Sequence, residues 1–251
     1  MRRSVIFLFI LTAVPGWVLA QSVTKGRELV QEAAEFQNKL ADSSVTLDQV
    51  IQKWSETAAQ PDVKKDPDAE AIAFGSGAVL EIQKGNSKAA DSLFKRSLPL
   101  FRLRESKAPI LVAYAEWTRA NGHNMAAIRA YDEIVHTMDS IPELWNIEYY
   151  RLSGYAPYAY AIDACFGLEQ IAASDPIEKM DALKLLKNTL ERHPNDALGM
   201  MAVVALHRLG EMKNDNYKFN VDLMCSRKPE LRGVNDLFER KFKETESSGA
   251  K

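Results

Sequence analysis

Residues 71–98, AIAFGSGAVLEIQKGNSKAADSLFKRSL, and residues 108–135, APILVAYAEWTRANGHNMAAIRAYDEIV, decide the fold, because laid over one another they agree at the positions that govern helix packing. Ala78, Gly85, Ala90 and Phe94 recur as Ala115, Gly122, Ala127 and Tyr131, each 37 residues later, and the cap-type residue Ser87 recurs as Asn124. Each copy reads as an apolar helix, a glycine break, a cap and a second helix with a small and then an aromatic residue on one face. Helix-turn-helix units of this kind cannot bury their faces alone, so they stack. The expected fold class is therefore all-α, with two such units over residues 69–142.

Within the first copy the pattern predicts one helix over Ala71–Lys84, although Gly75 and Gly77 each cost about 1 kcal/mol against alanine in a helix interior. Close helix packing is the expected compensation. The partner helix runs from Ser87 to Leu98 and is ended or kinked at Pro99. In the second copy Pro109 is expected in the first turn of a helix running to Ala120, where a missing N–H does no harm. Asn124 to Met138 follows, closed by Pro142.

Toward the N-terminus, Gln60 to Asp68 is polar, holds two prolines and reads as a loop. Before it, Leu29, Ala33, Phe36 and Leu40 share a helical face, and Thr46-Leu47-Asp48-Gln49 opens a second helix as a capping box. Residues 21–60 are thus expected to form an N-terminal helical hairpin. Residues 1–20 carry Arg2-Arg3, an apolar run from Val5 to Val14, a Pro-Gly break and Val18-Leu19-Ala20, the layout of a signal peptide cut after Ala20. Ten apolar residues fall short of the roughly 20 that cross a bilayer, so no stable membrane anchor is expected after cleavage. The chain is read as exported, periplasmic or secreted.

The full chain has 251 residues and a net charge of −2, which becomes −4 once Arg2 and Arg3 are removed. Such a balance argues against a nucleic-acid partner, which leaves a basic footprint. Locally, Lys88, Lys95, Arg96, Arg102, Arg104 and Lys107 make one helix and its exit basic, read as a solvated face broken by Asp91 and Glu105. The four histidines are scattered, no paired-cysteine or HExxH spacing occurs, and there is no nucleophile elbow, phosphate loop or dinucleotide fingerprint. No catalytic residue, metal or cofactor is expected. Cys165 and Cys225 stand 60 residues apart, compatible either with a disulfide in an oxidising compartment or with two buried free thiols.

The repeated residues resemble the tetratricopeptide repeat family. In that family, antiparallel helices of a roughly 34-residue unit pack through a small residue on the first helix, a small one early on the second and an aromatic one turn later. The match is most specific over Ala71–Asp139. Two degenerate units are expected over residues 161–229, the third through Gly167, Ala182, Leu186 and the closing run His193-Pro194-Asn195-Asp196, the fourth through Ala202 and Phe219 as poor matches. A capping helix with a frayed tail is expected over residues 230–251. The resemblance implies a right-handed solenoid whose groove is lined by the first helix of each unit, which turns Glu116 and Arg119 toward a ligand. Ala127 and Ala182 are 55 residues apart, so an insert over residues 143–160 interrupts the series. It holds Trp145, Tyr149, Tyr150, Tyr155, Tyr158 and Tyr160, which either cover the junction or line a binding surface, with Gly154 and Pro157 breaking the helix among them. The expected function is a non-catalytic scaffold or adaptor for a protein or peptide. The alternative is a carbohydrate-binding module that uses these rings.

Overall fold

A computed structural model describes residues 24–139, 157–229 and 231–236. The proposed signal peptide and Trp145, Tyr149, Tyr150 and Tyr155 lie outside these residues. All regular structure among the described residues is helical: α1 (Lys25–Asn38), α2 (Leu47–Ala59), α3 (Pro61–Lys64), α4 (Pro67–Lys84), α5 (Ser87–Ser97), α6 (Arg104–Ala120), α7 (Asn124–Asp139), α8 (Pro157–Ser174), α9 (Lys179–Arg192), α10 (Ala197–Arg208) and α11 (Asn214–Arg227). A further helical stretch covers residues 231–236. None of the described helices is long and apolar enough to cross a membrane. The chain divides into two units, Met1–Trp117 and Thr118–Lys251, so the boundary falls within α6.

The breaks between helices follow from orphan carbonyls at helix ends. At the end of α4 the Gly85 amide donates to Ile82 and the Asn86 amide to Glu81, with Gly85 at φ 86°. The same two bonds recur 37 residues later, from Gly122 to Arg119 and from His123 to Thr118, with Gly122 at φ 77°. This left-handed ending satisfies the last carbonyls and is open to glycine because it has no Cβ. The same ending closes α10, where the Gly210 amide donates to His207 and the Glu211 amide to Leu206, with Gly210 at φ 73°.

Several boundaries differ from the sequence expectation, each for a local reason. Asn86, not Ser87, caps α5, its Oδ1 accepting from the Ala89 amide at 3.3 Å. Asn124 is likewise the first residue of α7, and its side-chain amide donates to Asp175 at 2.8 Å. The expected loop over residues 60–68 instead holds α3 and the first turn of α4, because Pro61 and Pro67 both occupy the first helical position, where no N–H is needed. α6 begins at Arg104, which puts Pro109 in its interior and not in its first turn. Pro157 is the first residue of α8, which places Tyr158 and Tyr160 on α8.

In the first unit, α4 is buried from Asp68 to Leu80 at every position but Glu70. α2 and α5 flank it, and Ile110, Ala113 and Trp117 of α6 join the core around Ala78, Ala90 and Phe94. Phe94 is fully buried, worth about 3 kcal/mol for the side chain, and meets Tyr114 edge-on at 5.3 Å and Trp117 at 5.8 Å. The α4 start is fastened from three sides. Asp66 caps the Ala69 amide at 3.3 Å, accepts from the Thr24 hydroxyl at 2.7 Å and pairs with Arg27 at 3.1 Å. Buried Asp68 accepts the Arg102 and Leu103 amides, both at 2.9 Å, and the Ser97 hydroxyl donates to the Ala71 carbonyl at 2.7 Å.

In the second unit, α8 packs on α7, α9 and α10, and α10 is buried continuously from Ala197 to Leu206. Ala127, Tyr131, Ala182 and Leu186 are fully buried. Gly167 lies so close to Tyr131 that an added Cβ would stand 2.1 Å from the phenol oxygen and 2.2 Å from Cζ. Asp196 caps α10, accepting from the Leu198 and Gly199 amides at 2.9 and 3.2 Å, and its other oxygen meets His193 Nδ1 at 2.7 Å. Phe219 is 66% exposed, so it fills no packing role; the buried face of α11 is Val221, Met224 and Cys225. At the chain's described end, Tyr217 stacks on His207 at 4.1 Å and donates to Asn235 at 2.9 Å, while Leu231 is buried.

Two outcomes follow. Gly167→Ala should destabilise by about 3 kcal/mol through overpacking against a ring that has nowhere to go, and Tyr131→Leu in the same chain should make the pair less than additive by thermal melting. Strict additivity would mean the two residues do not touch. Burial pushes the Asp66 carboxyl up, but the Thr24 hydroxyl, the Ala69 amide and the Arg27 guanidinium outweigh it and leave its pKa below the ordinary 3.8. The folded chain therefore holds that proton less readily than the unfolded one, and the carboxylate's contribution is complete above 3.8 and lost as pH falls through the lower folded value. Melting temperatures of wild type and Asp66→Asn should differ at neutral pH and converge below pH 3.8; a gap that stays constant with pH would refute the assignment.

Candidate functional site

Of the expected site residues, Trp145, Tyr149, Tyr150 and Tyr155 lie outside the described residues. Glu116 and Arg119 are half-buried on α6. Tyr160 is only 8% exposed, so it belongs to the core of its unit and offers no stacking face. Tyr158 lies two residues before it on α8. Cys165 and Cys225 are both free thiols and both buried. Burial pushes the Cys165 thiol up to about 12, which leaves it protonated and inert. Among the described residues no group of three or more His, Cys, Asp or Glu is placed to hold a metal.

What the first unit does hold is a cleft of 520 Å³, within the range of about 300–1,000 Å³ in which pockets take small ligands or side chains. Its floor is α4 and its walls are α2 and α5. Two contacts set the direction of these walls. The Lys84–Asp48 ion pair at 2.7 Å puts the start of α2 beside the end of α4, and the Ser97–Ala71 bond puts the end of α5 beside the start of α4. Both walls therefore run antiparallel to the floor. One end of the cleft is formed by Ile51, Glu81 and Ala89, the other by Ala58, Lys64, Phe74 and Arg96. From Phe74 to Glu81 is seven residues, about 10.5 Å along the helix axis.

The middle is shallow in side chains. Gly77 forms the floor, facing Trp54 and Leu93. Trp54 is fixed by its indole N–H, which donates to Gln37 of α1 at 2.7 Å, so its polar edge points away from the cleft. The two ends differ in charge. At one, Glu81 Oε2 is buried with no hydrogen-bond partner. Opposite it, the Arg96 guanidinium lies on the Phe74 ring, 3.8 Å from the centroid, and neither Arg96 nor Lys64 takes part in an ion pair among the described residues. The basic face read from sequence thus splits: Lys95 pairs with Asp91 at 2.6 Å in solvent, whereas Arg96 turns to the cleft.

Sequence reading missed this site, and one signal was available. Gly75 and Gly77 were expected to serve the same close packing, but only Gly75 does. A Cβ there would come within 2.7 to 2.9 Å of three Ile110 atoms, whereas at Gly77 the nearest atom is Leu93 Cδ1 at 3.5 Å. Gly75→Ala should accordingly destabilise by about 1–3 kcal/mol, while Gly77→Ala should be neutral or stabilising by up to about 1 kcal/mol from helix propensity. Chemical denaturation of the two variants checks this, and equal losses at both positions would mean that Gly77 packs as tightly as Gly75. No protein-family model, no curated protein and no solved structure is matched by this chain.

Proposed function

We propose that this chain is an exported, non-catalytic scaffold or adaptor of stacked helix pairs similar to tetratricopeptide repeats, and that it binds a protein or peptide partner outside the cytoplasm. The observation that carries this reading is the cleft over Gly77, which is open, preformed and apolar at its centre, with a Glu81 oxygen that lacks a hydrogen bond at one end and Arg96 and Lys64 at the other. Peptides recurrently dock in preformed grooves, with specificity set by the side chains that enter their pockets. The repeated backbone endings at Gly85 and Gly122 and the small buried residues Ala78, Ala90, Ala115 and Ala127 support the likeness to the repeat family. Export rests on the layout of residues 1–20.

The test is an array of random heptapeptides probed with the mature chain, in wild-type form and as Gly77→Leu, which fills the middle of the cleft. Wild type should hold a subset of spots and the variant should lose them by tenfold or more. A blank array for wild type, or an unchanged pattern for the variant, would remove the cleft as a peptide site.

A further inference from the structure

We infer that the cleft takes a dipolar stretch of extended peptide, with a basic side chain at Glu81, an apolar side chain over Gly77 and an acidic side chain at the Arg96 and Lys64 end. The inference rests on the peptide-binding reading above and adds its charge order and spacing.

The Glu81 end calls for a donor. One Glu81 carboxylate oxygen is buried without a hydrogen bond; Lys84, whose ammonium is bonded to Asp48, is within electrostatic reach but gives it none, and native structures rarely leave such an oxygen unexplained. A lysine or arginine side chain supplies donors and neutralises the charge together. At the other end the guanidinium of Arg96 lies on the Phe74 ring, which leaves the N–H groups at its rim for a planar acceptor such as a carboxylate. Lys64, which follows the end of α2 and so lies at that same end, adds a second cation. Between them Gly77 offers apolar room and no side chain, facing the Trp54 ring and Leu93.

Spacing selects the peptide. The ends lie about 10.5 Å apart along α4, and an extended chain advances about 3.3 Å per residue with alternate side chains on one face. Residues i, i+2 and i+4 then face the floor together across about 13 Å, a span that flexible charged side chains close readily. A basic, an apolar and an acidic residue in alternate positions therefore satisfy Glu81, Gly77 and Arg96 at once, in either chain direction.

The experiment uses unlabelled Gly-Lys-Ala-Leu-Ala-Glu-Gly, acetylated and amidated so that no terminal charge competes, titrated into the mature chain by isothermal titration calorimetry. Replacing the peptide's Lys by Gln, or its Glu by Gln, should each weaken binding about tenfold. In Glu81→Gln the first replacement should lose its effect while the second keeps it. In Arg96→Gln with Lys64→Gln the reverse should hold. Melting temperatures of the variants confirm that each is folded, and the peptide replacements test the idea on wild type alone. If the peptide's Glu is immaterial, the cleft binds cations only and the dipolar assignment is wrong. If neither charge matters but Gly77→Leu abolishes binding, the assignment falls and the peptide site stands. Peptides that fail to bind a chain that does hold spots on the random array overturn the assignment alone, whereas failure on both removes the site as well.

Discussion

One helix in each unit is buried on every side, and that constraint organises the rest. α4 has scarcely a solvent-facing position between Asp68 and Leu80, and α10 has none between Ala197 and Leu206. A helix without an exposed stripe cannot be stable at a surface, so its neighbours must enclose it. They can approach only where the central helix is thin. Gly75 admits Ile110 of α6 into contact, Ala78 and Ala90 sit at zero exposure where α4 and α5 meet, and an added Cβ at Gly199 would stand 1.7 Å from the His193 carbonyl oxygen. The two glycines cost helix propensity locally, the alanines do not, and all four allow the close contacts.

Enclosure also makes the ends of the central helices hard to satisfy, because a buried helix terminus has little water to bond with. The chain answers with carboxylates. Asp66 and Asp68 hold the start of α4, the first through its own cap and its ties to Thr24 and Arg27, the second by receiving two amides from the segment that leaves α5. Asp196 does the same for α10, with His193 on its second oxygen. In the first unit these bonds join α1, α4 and the exit from α5, so capping and tertiary assembly are one event there.

The cleft arises from the same economy of side chains. Gly75 and Gly77 lie two residues apart on α4 and so face different neighbours: one face is closed by Ile110, the other looks between α2 and α5, where Trp54 and Leu93 do not fill the gap. The position that should pack instead leaves space, and beside it Glu81 Oε2 is buried without a hydrogen-bond partner.

Local chemistry was enough to determine much of this chain. The offset of 37 residues, the glycine endings, the capping box at Thr46 with Gln49 and the burial of Phe94 and Tyr131 all follow from residue types a few positions apart, because helix periodicity and helix termination are short-range properties. Boundaries were less legible where a proline stood, since Pro61, Pro67 and Pro157 serve equally as breakers or as first helical residues, and only the residues downstream decide which. The aromatic cluster and the two cysteines drew attention by composition, yet Tyr160 and both thiols proved buried. The site itself was decided only in three dimensions. Glu81, Arg96, Lys64 and Gly77 are spread over 33 positions of sequence and carry no shared motif. Their meeting depends on α2 and α5 both running antiparallel to α4, and on a void that exists because no side chain was placed there.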